Sequence, residues 1–445
     1  MTTDAPLLGD FDVVVVGSGS AGSPAAITAA RSGASTLLIE KLPFLGGNST
    51  AVLDTFYGFY TPGSASKKVV GGIGDDVVSG LRRLGRVVER PNTYGAGTGV
   101  TYLAEHLKIV WEELARAAGV KVLLHAFLQN VVVADGRITE LLVATKAGLR
   151  RVRPTVVVDA SGDADVCHHA GFSYELAGTI RPAQTLTTTF RMVNVDHEKR
   201  RSISKEELHG LMEEAASSGE YDLPRREGSD HITPVDGMIA TVMTRIDQVR
   251  VSDDGTVRNA TDPEVLTTAE MEGRRQALEY ARFLVDRVPG YGAAQLVALA
   301  TQIGLRETRR VEGDYRLTRR DVLTARQFED QIGLCGAPIE DHHGGEETGT
   351  TWEYLPDGTV VGIPLRTLVA ADGTNVLMAG RCFSAEHDAQ ASVRSMAQCM
   401  AMGQAVGTTA ALALDKAGEV REVSFGTLAD ELAGNGAILT MDAGT

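Results

Sequence analysis

The residues best suited to chemistry stand near the N-terminus as Gly17-Ser18-Gly19-Ser20-Ala21-Gly22, with Glu40 following 18 positions after Gly22. Such a turn offers backbone amides rather than side chains to a ligand. Gly17 permits a sharp turn, Gly19 lets the main chain approach a pyrophosphate, and Gly22 lets a helix pack on a strand. Ser20 and Ala21 lead into that helix, whose N-terminal amides favour an anion. Glu40 is expected to accept hydrogen bonds from ribose hydroxyls. The alternative is a glycine-rich turn that holds nothing. Strand, turn, helix, strand and acid within about 30 residues favour the dinucleotide.

A second set of residues suits proton transfer and anion binding. His342 and His343 lie in Asp341-His342-His343-Gly344-Gly345, and His387, Tyr354, Asp54 and Tyr57 are further pocket candidates. An imidazole titrating near neutrality suits proton abstraction coupled to hydride loss. Arg394 could clamp a carboxylate in a two-pronged contact. Arg309 belongs to Leu305-Arg306-Glu307-Thr308-Arg309-Arg310-Val311-Glu312, which reads equally well as a solvated charged strand. Each histidine alone reads as readily as a surface or core imidazole. Asp163 and Asp165 lack further oxygen ligands at suitable spacing, so no metal is expected there. Cys167, Cys335, Cys382 and Cys399 read as small buried packing residues.

These groups need elements to position them. Phe11–Val16 is a continuous β-branched run, the pattern of a buried parallel strand. Ala25–Arg31 reads as helix and Ser35–Ile39 as the next strand. Gly99–Ala118 reads as an amphipathic helix, with Leu103, Leu107, Val110 and Leu114 at helical spacing. Short strands separated by Asp135-Gly136 and Ala147-Gly148 then run from Val120 to Val158, a hairpin meander. Beyond Gly171 the alternation of strand and helix breaks. Pro182–Val195 reads as strand, and Ser204–Ser217 and Asp262–Val288 as helices, the latter with Pro263 in its first turn. Near the C-terminus Val376–Met378 reads as a buried strand, and Ser392–Met396 with Gly403–Gly407 as the start and body of one long helix.

Composition narrows the class. The chain has 445 residues, 43% hydrophobic and 23% charged, enough for two or three globular domains. Its net charge of −15 argues against a nucleic-acid partner. The four cysteines form no C-x-x-C pair, which argues against a disulfide framework or zinc site. No apolar run long enough for a membrane span and no secretory signal is read at the start, so a cytoplasmic location is expected. The expected partner is a small-molecule substrate, and these features are compatible with a homo-oligomer.

After Glu40 the chain reads Lys41-Leu42-Pro43-Phe44-Leu45-Gly46-Gly47-Asn48-Ser49-Thr50. A Gly-Gly pair here resembles the flavoproteins with two dinucleotide-binding domains, in which this loop follows the FAD diphosphate towards the flavin. No cysteine pair, arginine or histidine accompanies Gly46-Gly47. The loop therefore departs from disulfide reductases, amine oxidases and histidyl-flavin succinate dehydrogenases. Three more segments complete the pattern: Ala160-Ser161-Gly162-Asp163-Ala164-Asp165, Arg306–Arg310, and Gly380-Arg381. Over nearly its whole length the chain resembles the bacterial FAD-dependent oxidoreductase family, akin in fold to succinate dehydrogenase and fumarate reductase flavoproteins.

That resemblance implies an α/β fold: a Rossmann-like FAD-binding domain of parallel sheet plus β-meander, formed by residues 1–170 and 345–445. An inserted α+β substrate domain would span residues 171–344. It implies noncovalent FAD, with adenine near Phe127-Leu128, Gly380-Arg381 closing on the ribityl-diphosphate, and Ser392–Met396 near the flavin pyrimidine edge. No second glycine fingerprint marks a nicotinamide domain. The implied function is a dehydrogenase or oxidase taking a hydride from a small polar molecule. Reduction of an activated alkene, and a non-catalytic or RNA-modifying flavoprotein, are the alternatives.

Overall fold

The computed structural model describes residues 4–64, 66–90, 95–344 and 349–441. Strand β1 (Leu7–Val16) runs into the glycine turn, helix α1 (Gly22–Arg31) and strand β2 (Thr36–Ile39). Helix α2 (Ala104–Ala118) follows, shorter than expected, because Gly99–Thr101 pairs as a strand with Thr55–Phe56 and Val88–Arg90. Then come β3 (Lys121–Leu123), β4 (Phe127–Ala134), β5 (Arg137–Thr145) and β6 (Gly148–Asp159). The β4–β5 hairpin turns on Asp135 and Gly136, both with positive φ, as a two-residue type I′ turn requires.

A second group of elements follows. Strand β7 (Phe190–Val193) is only the end of the expected Pro182–Val195 strand. The preceding segment makes isolated bridges, such as Leu186 with Ile246, rather than a ladder. Helix α3 (Lys205–Ser217) starts with a capping box between Ser204 and Glu207. Strands β8 (Ser229–Ile232) and β9 (Ile239–Val242) lead to helix α4 (Pro263–Arg287). There the Asp262 carboxylate accepts from the amides of Glu264 and Val265. Strand β10 (Gln295–Leu299) completes an antiparallel sheet in the order β8-β9-β7-β10. Phe190, Met212, Tyr280 and Phe283 form a core of their own beneath it.

Strand β11 (Arg309–Val311), β12 (Ile339–His343), β13 (Gly349–Glu353), β14 (Val361–Pro364) and β15 (Val376–Met378) lead to the final helices. Helix α5 (His387–Val393) and helix α6 (Met396–Leu412) are separate. Ser395, extended at ψ 149°, breaks what reads in sequence as one helix. Helix α7 (Phe425–Gly434) follows.

The main sheet is α/β. β3, β2, β1 and β6 are parallel neighbours, β5 and β4 continue antiparallel, and β15 pairs in parallel with Val157–Asp159 of β6. Strand period sorts its core: Val13 and Val15 pack on the face of α1 and α6, whereas Val14 and Val16 pack on the face of the meander. Burial on both faces is what a β-branched run without polar alternation supports. No helix among the described residues is long and apolar enough to cross a membrane.

Candidate active site

The parallel strands β1 and β6 end side by side beneath a cavity of about 690 Å³, within the ordinary range for ligand sites. One end is built largely of backbone. Gly17 donates to the Ile39 carbonyl at 2.8 Å, and Ala160 donates to that of Val16 at 2.9 Å, fixing both strand exits. A Cβ on Gly17 would stand 2.5 Å from the Ala160 carbonyl oxygen, and one on Gly22 only 1.8 Å from that of Gly17. A Cβ on Gly19 would meet no protein atom within 4 Å. The main chain at Gly19 is thus open towards the cavity, and the first turn of α1 carries neither a side-chain cap nor an acidic residue. An anion fits there.

Of the residues expected at this end, Gly17, Gly19, Ser20, Ala21, Glu40, Lys41, Gly47, Asn48, Phe127, Leu128, Ala160, Ser161, Gly162, Gly380, Arg381 and Met396 line the cavity. Glu40 is buried, its carboxylate accepting from the Ser18 hydroxyl at 2.6 Å and from the Leu42 amide at 2.8 Å. Gly22, Gly46, Ser49, Thr50 and Ser392 fall outside the lining. Their side chains and amides shape the walls instead: the Ser49 hydroxyl donates to the Gly46 carbonyl, Thr50 to that of Leu45, and Ser392 to that of Ala337 at 2.6 Å. Gly46 donates to the Ser18 carbonyl.

The other end is built of side chains from distant segments: Tyr57, Arg225, Arg306, Glu340, His342 and Arg394 all reach it. His342 and His343 separate here. They stand on strand β12 rather than in a loop, so alternate residues point oppositely. Glu340 and His342 face the cavity, whereas His343 lies outside its lining beside Asp341 at 3.8 Å. His342 is not poised near neutrality: burial and the Arg306 guanidinium push it down to about 3. Its ring nitrogens contact the Glu340 carboxylate at 3.0 Å and the Thr350 hydroxyl at 3.1 Å. Glu340 lies well below the usual carboxylate range, at about 2; burial opposes this, but His342, Arg394 and Arg306 outweigh it. Near neutral pH the pair is an ionised carboxylate beside a neutral ring.

Arg309 also falls outside the cavity. It donates to the Asp163 carbonyl at 2.9 Å and pairs with Asp165 at 3.3 Å. Its neighbour Arg310 sits between Glu307 and Glu175, so the charged segment is buried rather than a solvated surface. Of the arginines in that segment, Arg306 alone lines the cavity. Asp163 accepts from Arg381 at 3.0 Å, and Asp165 is pushed up to about 7, first by burial and then by Asp163. Buried His387 lies between Glu307 (2.9 Å) and Asp341 (3.1 Å), and those carboxylates outweigh its burial to raise it to about 9. Tyr354 and Asp54 stand outside the lining; Asp54 pairs with His231 at 2.8 Å. The four cysteines are buried.

Sequence reasoning missed Arg225, Glu227, Glu340 and Thr350. The Tyr280 hydroxyl accepts from the Arg225 amide and donates to the Arg225 carbonyl, each at 2.7 Å, and Glu227 accepts from the Thr350 hydroxyl at 2.6 Å; all are contacts between distant segments. The alternation Glu340-x-His342 is the one signal that could have found Glu340.

Comparison with known proteins bears on this arrangement. Fumarate reductase (cytochrome) of Shewanella frigidimarina is 48% identical over 58 residues, 13% of this chain and 10% of that protein. The 3-oxosteroid 1-dehydrogenase of Mycolicibacterium smegmatis is 58% identical over 40 residues, 9% of this chain and 7% of its own length. The chain thus matches only a small share of these relatives. A geranylgeranyl bacteriochlorophyll reductase-like structure from Thermoplasma acidophilum aligns with 95% of this chain and 84% of its own, at 13% identity and a TM-score of 0.45. A family model described as FAD dependent oxidoreductase matches residues 12–432. The glycine turn, Glu40, the end of β6 and Gly380-Arg381 all fall within that match, and the chain belongs to the FAD-dependent oxidoreductase family.

Proposed function

We propose that the enzyme oxidises a small polar organic molecule by hydride transfer to noncovalently bound FAD. The observation that carries this reading is a single cavity joining the open backbone at Gly19 to the side-chain end at Arg394 and His342. The Gly17–Gly22 turn, Glu40, Lys41, Phe127-Leu128, Ala160–Gly162 and Gly380-Arg381 would hold the dinucleotide. Gly46, Ser49, Thr50 and Ser392 would shape its walls. When bound, FAD supplies a two-electron acceptor for a hydride leaving a substrate C–H bond. Ser395 and Met396 bring the N-terminus of the 17-residue helix α6 to the cavity, where its dipole would favour developing negative charge. Arg394 would orient the substrate. The His342 ring, held neutral between Glu340 and Thr350, would orient the reacting group by hydrogen bonding rather than titrate with it.

The pairing of β15 with β6 supports an FAD-binding unit made of two chain segments, and the separate core under β7–β10 supports an inserted substrate unit. The expected boundary at residue 345 lies outside the described residues. Denaturing the purified yellow protein should release free FAD, and anaerobic mixing with a substrate panel should bleach the bound flavin. Colour that stays with the denatured chain would overturn noncovalent binding. A panel that never bleaches the flavin, while an activated alkene reoxidises chemically reduced enzyme, would reverse the direction.

A further inference from the structure

We infer that the substrate is a carboxylate, gripped between Arg306 and Arg394; the inference rests on reading this cavity as the substrate site. Both guanidiniums line the cavity, yet neither has a carboxylate within 4 Å among the described residues. Their partners are neutral. Arg306 donates to the Thr185 carbonyl at 2.5 Å and to the Thr187 hydroxyl at 3.0 Å. Arg394 donates to the Gln184 side-chain oxygen at 2.8 Å, and its buried Nε has no hydrogen-bond partner. The arginines just outside the cavity behave differently: Arg309 pairs with Asp165, and Arg310 with Glu307 and Glu175.

Neutral amides also fix where the two guanidiniums stand. Gln184 donates to the Gln390 oxygen at 3.2 Å, and Gln390 donates to the Arg306 carbonyl at 2.9 Å. Gln390 lies one helical turn before Arg394, whose guanidinium closes the ring back onto Gln184. This clasp, buried at both glutamines, is made of neutral groups, and the ionised Glu340 carboxylate beyond 4 Å is a counter-charge that the two guanidiniums share with His342. Holding them so is costly: burial first, and then Arg394 and Arg225, push the Arg306 guanidinium well below its usual range. An anion between them offsets that cost, and a planar carboxylate suits the forked donors of arginine.

The test is equilibrium binding to the purified holoenzyme by titration calorimetry, with FAD content measured on the same samples. The probes are acetate, malonate and benzoate, each against its own amide. At least one acid should bind about tenfold or more tighter than its amide, the scale of a charge-assisted contact. Arg306→Gln and Arg394→Gln should each remove that preference while FAD content stays at the wild-type level. Arg394→Lys keeps the charge without the fork and should weaken acid binding while leaving amide binding unchanged. Acids that bind no tighter than amides, or a preference surviving both glutamine substitutions, would overturn the inference. Methyl phosphate binding tighter than every acid, with the same dependence on both arginines, would assign the clasp to phosphate monoesters and overturn it too. Wild-type protein purified without FAD defeats the reading of the cavity itself, whereas wild-type holoenzyme with FAD in place and no acid preference defeats only the carboxylate.

Discussion

The two ends of the cavity recognise by different means. At the end proposed for the dinucleotide the main chain faces the cavity: Gly17, Gly19 and Ala160 come from two strand exits that hydrogen bonds hold together. At the other end Tyr57, Arg225, Arg306, Glu340 and Arg394 converge from five separate stretches. Backbone recognition needs absent side chains at a fixed local spacing, so it tolerates little change. Side-chain recognition needs only that distant segments meet, and it can be varied residue by residue.

The sharpest break of this contrast is at the glycines. Gly22→Val should prevent folding or flavin retention altogether, because its Cβ would overlap the Gly17 carbonyl. Gly19→Val should leave a folded protein whose melting temperature matches the flavin-free wild type, yet retain no FAD. The ratio of flavin to protein absorbance reads this directly. Wild-type occupancy in Gly19→Val would mean that the open space there is not the diphosphate site.

The side-chain end should respond by degrees. In stopped-flow flavin reduction by a true substrate, Arg394→Lys and His342→Ala should each slow reduction by about tenfold to a hundredfold, the scale of one charged hydrogen bond. His343→Ala, on the opposite face of β12, should stay within about twofold, because such an outward-facing change removes no contact to the reacting centre. Equal loss in both histidine variants would erase the distinction that the strand imposes.

Outside the cavity lining lies the buried His387 bridge between Glu307 and Asp341. Its folded pKa of about 9 stands above the unfolded 6.5, so its stabilisation is fully present below about pH 6.5 and is lost as pH rises through about 9. The difference corresponds to about 3 kcal/mol at most. Thermal melts across this window should show a fall in wild type that His387→Gln flattens; parallel curves would remove the bridge from the account. Smallest of all, Ser204→Ala removes the helix cap that opens α3. It should cost about 1 kcal/mol in denaturant unfolding, with no change in FAD content.

The sequence by itself determined the glycine turn and Glu40, because everything needed for them is local. Strand, glycine turn, helix and Glu40 lie within one βαβ unit, where backbone geometry follows from residue type. The helix starts at Ser204 and Asp262 were legible for the same reason. Only the tertiary structure decided the rest. Whether His342 or His343 faces the cavity depends on Asp341–His343 being a strand with one buried side. Of three arginines in Arg306–Arg310, one reaches the cavity and two enter buried ion pairs, a choice made by Asp165, Glu175 and Glu307. The break at Arg394-Ser395 splits a helix that propensity reads as continuous, and it turns Ser395 and Met396 into the lining. His342 loses its expected near-neutral titration to burial and to an arginine 36 positions away. Charge, burial and facing are properties of neighbours in space, and chain spacing does not encode them.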